Sequence, residues 1–265
     1  METRVPVYRR ARGYRIYGER GNRFLDFFQD GGRAILGHRN PSIMLEAKNL
    51  LSRGQIAAYP SSLIEKTRQA VMTLIPGLES VRIYASGERA LEAASLHFGE
   101  PVSWAAAHDP ARAGASAGTR SGVSLWRPFL ESEPFDFPLL IPVLPVSAPP
   151  APAVLAFREK PAPAVRESDI CSPVSLGMLK KAVFELIRYA RTCDRSRWGP
   201  FDKKKNWSRK GPYLTLKRDE REYPGIFNKM LERGILLSPE YPGPSIIPGE
   251  YSPGEFASFK SFFAV

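Results

Sequence analysis

The chain reads as an α/β protein, and three observations carry that reading. Short runs of alternating apolar residues, such as Tyr14-Arg15-Ile16-Tyr17 and Val81-Arg82-Ile83-Tyr84, have the period of a strand. Longer segments, such as Pro173 to about Thr192, carry apolar side chains at helical spacing. The two kinds of segment alternate along the sequence, which points to sheet covered by helices. Composition agrees: 43% hydrophobic and 11% aromatic over 265 residues supplies a core and excludes a disordered chain.

The elements fall into three blocks. In residues 1–98, Tyr14–Tyr17 and Arg23–Phe27 read as strands joined by the turn Gly18-Glu19-Arg20-Gly21-Asn22. Pro41 opens a helix to about Ser52 with Ile43, Ala47, Leu50 and Leu51 on its apolar face. Ser61 or Ser62 caps a second helix from Leu63 to about Leu74, which stops at Pro76-Gly77. Val81–Tyr84 then leads through Ser86-Gly87 into a helix rich in Ala, Leu and Glu.

Residues 99–168 differ. Ala105 to Gly122 is mostly Ala, Gly, Ser and Arg, and prolines such as Pro145, Pro149, Pro152 and Pro161 punctuate the remainder, so the block reads as a weakly structured connector. Two apolar runs in it, Leu139–Leu144 and Ala153–Phe157, suit short strands that the prolines confine to sheet edges or strand starts. In residues 169–265 the helix from Pro173 is followed by a strand at Tyr213–Leu216. A helix from Tyr223 to about Arg233 closes on Gly234, a strand comes next at Ile235–Leu237, and a last helix covers Pro253–Phe263.

The segment with most chemical content is Ser86-Gly87-Glu88. A strand–turn–helix leaves backbone N–H groups open at the helix start, where a phosphate can sit. Glu88 places an anion at that spot, so the three residues form a degenerate phosphate turn and the candidate cofactor-binding set. The simpler reading is that Ser86-Gly87 only starts a helix, with Glu88 well placed in its first turn.

The formal net charge is +11. Part of it clusters at residues 188–210, where Arg188, Arg197 and Arg209 flank Trp198 and Trp207. Basic residues among aromatics suit nucleic acid, and a solvated loop is the alternative. His38, His97 and His108 are too scattered for a metal site. His38 reads as a structural turn residue, and His97 as an imidazole easing a helix C-terminus. Cys171 and Cys193 make no disulfide framework; they read as buried small hydrophobes in a reducing cytoplasm. No apolar run is long enough to span a bilayer, and the N-terminus lacks the apolar core of a signal peptide.

Several of these segments carry a family resemblance. Gly18–Phe27 resembles a Gly-Asn-Arg-(apolar)-(apolar)-Asp-Phe strand pair, and Ile35-Leu36-Gly37-His38-Arg39-Asn40-Pro41 a Leu-Gly-His-x-x-Pro turn. Val81–Ala94 resembles a strand followed by a Ser-Gly-Thr-Glu-Ala helix. Their order is that of the class III pyridoxal-phosphate-dependent aminotransferases, which include ornithine aminotransferase and glutamate-1-semialdehyde aminomutase. The resemblance implies a truncated fold-type-I pyridoxal-phosphate-transferase-like architecture. Residues 1–98 would supply the N-terminal segment and the first large-domain strand and helix, 99–168 a reduced remnant of the large domain, and 169–265 the C-terminal small-domain segment.

The resemblance also exposes losses. Glu88 stands where the family has Thr, and nothing in 99–168 matches the Asp-Glu-Val-like strand end whose Asp bonds the cofactor's pyridine nitrogen. Only Asp169-Ile170 with Lys180 or Lys181 imitates the Schiff-base lysine region, and those lysines lie mid-helix on a solvated face. No catalytic residue is assigned. These losses imply a pseudoenzyme with a structural or regulatory role, without cofactor, dimerising with itself or with a related full-length subunit. One alternative is a residual aminotransferase or aminomutase that keeps pyridoxal phosphate and acts with a partner subunit. The other is a basic nucleic-acid-binding module at 188–210.

Overall fold

A computed structural model describes residues 3–112, 122–130, 137–147, 151–202 and 206–257. The chain opens with β1 (Tyr8–Arg12), β2 (Arg15–Gly18) and β3 (Arg23–Asp26), an antiparallel meander. The β2–β3 turn works as expected: Gly21 takes φ +81° and the Gly18 N–H donates to the Asn22 carbonyl at 2.9 Å. β1 is an addition, since Tyr-Arg-Arg-Ala-Arg has no apolar alternation to announce it.

Helix α1 (Pro41–Ser52) starts where Asn40 Oδ1 accepts from the N–H groups of Ser42 and Ile43 at 3.1 and 3.3 Å. Ile43, Ala47 and Leu50 are buried, whereas Leu51, expected on the same face, is 47% exposed. One residue past Leu50 is a 100° turn, which carries Leu51 off the narrow buried stripe. At the start of α2 (Leu63–Leu74) it is the Ser61 hydroxyl that accepts, from the Leu63 N–H at 3.3 Å. Next come β4 (Ser80–Tyr84) and α3 (Gly87–Phe98), the latter closed by Gly99 at φ +72°.

The middle block supplies β5 (Val123–Trp126), β6 (Leu139–Pro142) and β7 (Ala153–Phe157). The sheet order is β4-β7-β6-β5. The two apolar runs are therefore central strands and not edges; of the two places expected, edges or strand starts, the prolines take the strand starts. The reason is placement. Pro138 and Pro152 precede the strands and Pro142 closes β6, so no missing N–H interrupts a ladder. Residues 113–121, half of the Ala- and Gly-rich run of 105–122, lie outside the described residues.

Beyond the sheet stand α4 (Pro173–Thr192), β8 (Trp207–Lys210), β9 (Tyr213–Leu216), α5 (Tyr223–Glu232), β10 (Ile235–Leu236) and β11 (Ser245–Ile246). Gly234 ends α5 at φ +78°. β10 runs parallel to β3, giving the order β1-β2-β3-β10, and β11-β9-β8 form a third sheet. Residues 253–257 are helical, and the rest of the expected last helix lies outside the described residues.

The β4-β7-β6-β5 sheet is buried on both faces with strand periodicity. Val81, Ile83, Leu140, Val154 and Ala156 pack toward α2 and α4. Tyr84, Leu139, Ile141, Leu155 and Phe157 pack toward α3. A separate core joins β2 and β3 to Phe201, Trp207, Leu214, Phe227 and Leu236.

That second core also takes Trp198 and Trp207, which are 9% and 4% exposed, so neither indole of the 188–210 cluster is open for base stacking. The loop reading of this stretch is corrected too, because it holds β8. Lys203, Lys204 and Lys205 lie outside the described residues. Cys171 is buried and Cys193 only half-buried; both thiols are free. No described helix is long and apolar enough to cross a membrane.

Candidate functional site

The carboxyl ends of β4, β5 and β6 meet one cavity of about 760 Å³, whose lining includes Gly87, Trp104, Arg127, Val143 and Leu144. Such convergence is where open α/β sheets take ligands.

At the end of β4, Ser86 is extended and its Oγ accepts the Arg89 N–H at 3.3 Å. A Cβ on Gly87 would lie 2.6 Å from Trp104 Cζ2, so the indole rests against the glycine. Glu88 is exposed, and the Ser86 hydroxyl holds its carboxyl below the usual range. Arg89 turns away to Asp169, with Nε 3.3 Å from Oδ2 and Nη2 3.1 Å from Oδ1, and also bonds Glu92. Asp169 Oδ2 further accepts the Ala85 N–H at 3.0 Å. The Arg89 bonds, followed by the Ala85 N–H, keep the Asp169 carboxyl low against the opposing effect of burial. A carboxylate of the chain itself thus occupies the strand end beside the Ser-Gly turn.

At the end of β5, Arg127 donates to Asp109 twice, Nε to Oδ1 at 2.6 Å and Nη2 to Oδ2 at 2.7 Å, and through Nη1 to the Gly31 carbonyl at 2.8 Å. Burial disfavours the charged guanidinium, but the Asp109 carboxylate outweighs it and the Arg127 pKa is raised. At the end of β6 the wall is apolar: Pro142, Val143 and Leu144.

The opposite rim is an unusual turn. Gln29, Asp30, Gly31 and Gly32 all have positive φ. For Gln29 and Asp30 this costs on the order of 1 kcal/mol each or more. Asp26 holds the turn: its Oδ1 accepts the N–H groups of Phe28 and Gln29 at 2.9 and 2.8 Å, and its Oδ2 meets His38 Nε2 at 2.7 Å. Gln29 Nε2 donates to the Ile246 carbonyl at 2.9 Å, tying β11 to the same rim. His38 is thus a structural residue, as expected, and its partner is the aspartate of the Asp-Phe motif.

His97 behaves differently from expectation. Its Nδ1 accepts the Ala162 N–H at 3.2 Å while Nε2 faces Glu159 at 3.0 Å. An Nδ1 that accepts fixes a ring protonated on Nε2, so the residue ties a loop rather than offsetting a dipole. His108 bridges to β5 through its backbone and stacks on Phe137 at 5.0 Å. Among the described residues no group of three His, Cys, Asp or Glu could hold a metal ion.

Lys180 pairs across to Glu46 of α1 at 3.3 Å and Lys181 with Glu185 of α4 at 3.2 Å. No lysine lines the cavity among the described residues. The Asp109–Arg127 pair had no sequence signal, because its members flank a low-complexity stretch. Asp26 had one, its place in the strand motif.

The chain shares the fold of the class III pyridoxal-phosphate aminotransferases: the ornithine aminotransferase of Plasmodium yoelii superposes with a TM-score of 0.71 at 13% identity, covering 100% of this chain and 94% of that one. No family model matches the sequence. An uncharacterized protein of Treponema pallidum is 30% identical over 285 residues, covering 91% of this chain and 88% of that protein, and the chain belongs to its family. A glutamate-1-semialdehyde 2,1-aminomutase of Methanothrix thermoacetophila is 33% identical over 90 residues, which are 34% of this chain and 21% of that enzyme.

Proposed function

We propose that the chain is a pseudoenzyme on the aminotransferase fold, with a structural or regulatory role in place of transamination. One observation carries the reading. The three strand ends that meet the cavity present Gly87 against Trp104, the Asp109–Arg127 pair, and Pro142-Val143, with no lysine among the described lining residues.

Pyridoxal phosphate does not fit these residues. Its Schiff base needs an amine in the cleft, whereas Lys180 and Lys181 are paired with Glu46 and Glu185 and neither lines the cavity. Its phosphate needs open N–H groups at the helix start, whereas Ala85 N–H is taken by Asp169, Arg89 N–H by Ser86, and Glu88 adds a like charge. The free thiols of Cys171 and Cys193 accord with a reducing cytoplasm. The role is exerted as a dimer, with itself or with a complete relative.

The experiment is to incubate the protein with pyridoxal phosphate, reduce with borohydride and weigh it. The expected mass is that of the unmodified chain. A stoichiometric pyridoxyl adduct on a single lysine overturns the reading. Sedimentation alone and after mixing with a full-length relative measures the association.

A further inference from the structure

Strand β1 ends its sheet, so one side of its backbone has no neighbouring strand among the described residues. Its sequence is Tyr8-Arg9-Arg10-Ala11-Arg12. Charged side chains on an edge strand ordinarily guard it against pairing. Three features set this edge apart from a guarded one.

The first is charge. Between Thr3 and Arg23 the sequence holds one carboxylate, Glu19. Arg15 and Arg23 share Glu255, but among the described residues Arg9, Arg12 and Arg39 have no ion-pair partner. The second is apolar exposure on the approach to the strand, where Val7 and Tyr8 are 70% and 56% exposed. A strand built only to repel would not display them. The third is shape: Arg12, Arg39 and Lys48 line a groove of about 620 Å³ together with Met44 and Leu45 of α1, both exposed.

An occupant has to supply backbone partners for the strand, apolar side chains for the groove and carboxylates for the arginines. A second copy of this face would set arginine against arginine. Nucleic acid would answer the cations but not the strand edge or the apolar floor. We propose that β1 and the groove beside α1 dock an extended, acidic peptide segment of a partner protein, which adds as a strand to β1 and pairs its carboxylates with Arg9, Arg12 and Arg39. Main-chain pairing supplies affinity in this mode, and charge supplies choice of partner.

The test uses the full chain and a short fluorescein-labelled peptide alternating Glu and Val, read by anisotropy. Binding is expected at low salt and weakens as salt is added. It should fall about a hundredfold in Arg9→Glu/Arg12→Glu/Arg39→Glu, because like charges then face each other. Thermal unfolding of that variant should match the wild type, and Arg9→Gln/Arg12→Gln/Arg39→Gln serves if it does not. A twin peptide with Lys for Glu should not bind, and N-methylation along one edge of the acidic peptide should abolish binding.

No binding at low salt overturns the proposal, as does equal binding by a folded arginine variant. Binding that survives N-methylation removes the strand addition. Tighter binding of phosphatidylserine vesicles or duplex DNA, lost in the same variant, makes the face a general anion surface and overturns the peptide assignment. A dimer in solution that the arginine variants dissociate overturns it in favour of a second copy.

Discussion

Two arginine–carboxylate pairs stand at the ends of the two outer strands of one sheet, and they differ in what surrounds them. Arg127 and Asp109, beyond β5, are 7% and 8% exposed and share two parallel bonds, with a third bond crossing to the Gly31 carbonyl. Arg89 and Asp169, beyond β4, are 36% and 20% exposed, with longer bonds. Geometry and burial make the first pair a fastener. It couples the sheet to the strained turn at 29–32, and losing one member would strand a charge in a poorly solvated wall. The second pair is exposed to water, so its net contribution to stability is small and screened by salt. Its effect lies in occupancy: it fills the strand end that a bound anion would need.

Four substitutions test whether burial separates the two pairs. Asp109→Ala should cost the most, about 3–5 kcal/mol of unfolding free energy in urea titration, because Arg127 is left buried without its counter-charge. A loss no larger than that of a surface residue would put the two pairs in one class. Asp26→Ala should come next, at about 2–3 kcal/mol, since it leaves the N–H groups of Phe28 and Gln29 without their acceptor. It should also raise amide exchange at 28–32 more than elsewhere.

Glu255→Gln samples an intermediate case. The bonds from Arg15 hold the Glu255 carboxyl down at about 2, against an ordinary value of about 4.5. A depressed carboxyl contributes its stability above the ordinary value and loses it as pH falls toward the depressed one. Wild type and Glu255→Gln should therefore differ by about 1 kcal/mol or less at neutral pH, and their stabilities should converge as pH falls from about 4.5 to about 2. Asp169→Asn should have the smallest effect on the unfolding midpoint. Its loss should have the same sign with pH and shrink with added salt. A midpoint drop matching that of Asp109→Ala would show that exposure does not separate the pairs.

Helix limits were legible where periodicity and punctuation agreed. Asn40-Pro41, Ser172-Pro173 and Pro76-Gly77 bracket apolar stripes, and α1, α2 and α4 keep to them. The Ser-Gly turn was legible too, as strand, cap and helix. What escaped depends on contacts between distant parts of the chain. β1 is an edge with no apolar alternation, and β5 is four residues beside a low-complexity run. The central position of β6 and β7 is set by their pairing with β4 and β5, which local proline counting does not reveal. Of the residues that line the candidate cavity, Gly87 was legible in the sequence. Trp104, Asp109 and Arg127 were not, since only the fold brings them to the same cavity.

The pairing of Tyr84 with Ala153 has a consequence for how this chain is made and how it changes. β4 leaves its loop early, but the strand that seals it arrives much later, so the sheet is non-local and its closure should set the folding rate. The entropy of such a closure grows only with the logarithm of loop length, about 0.6 kcal/mol for each doubling. Insertions that leave α3 and the Asp109–Arg127 pair in place therefore cost little, while a shift of register within the strands does not. Selection can lengthen the connections between β4 and β7, provided the four strands, α3 and that pair remain.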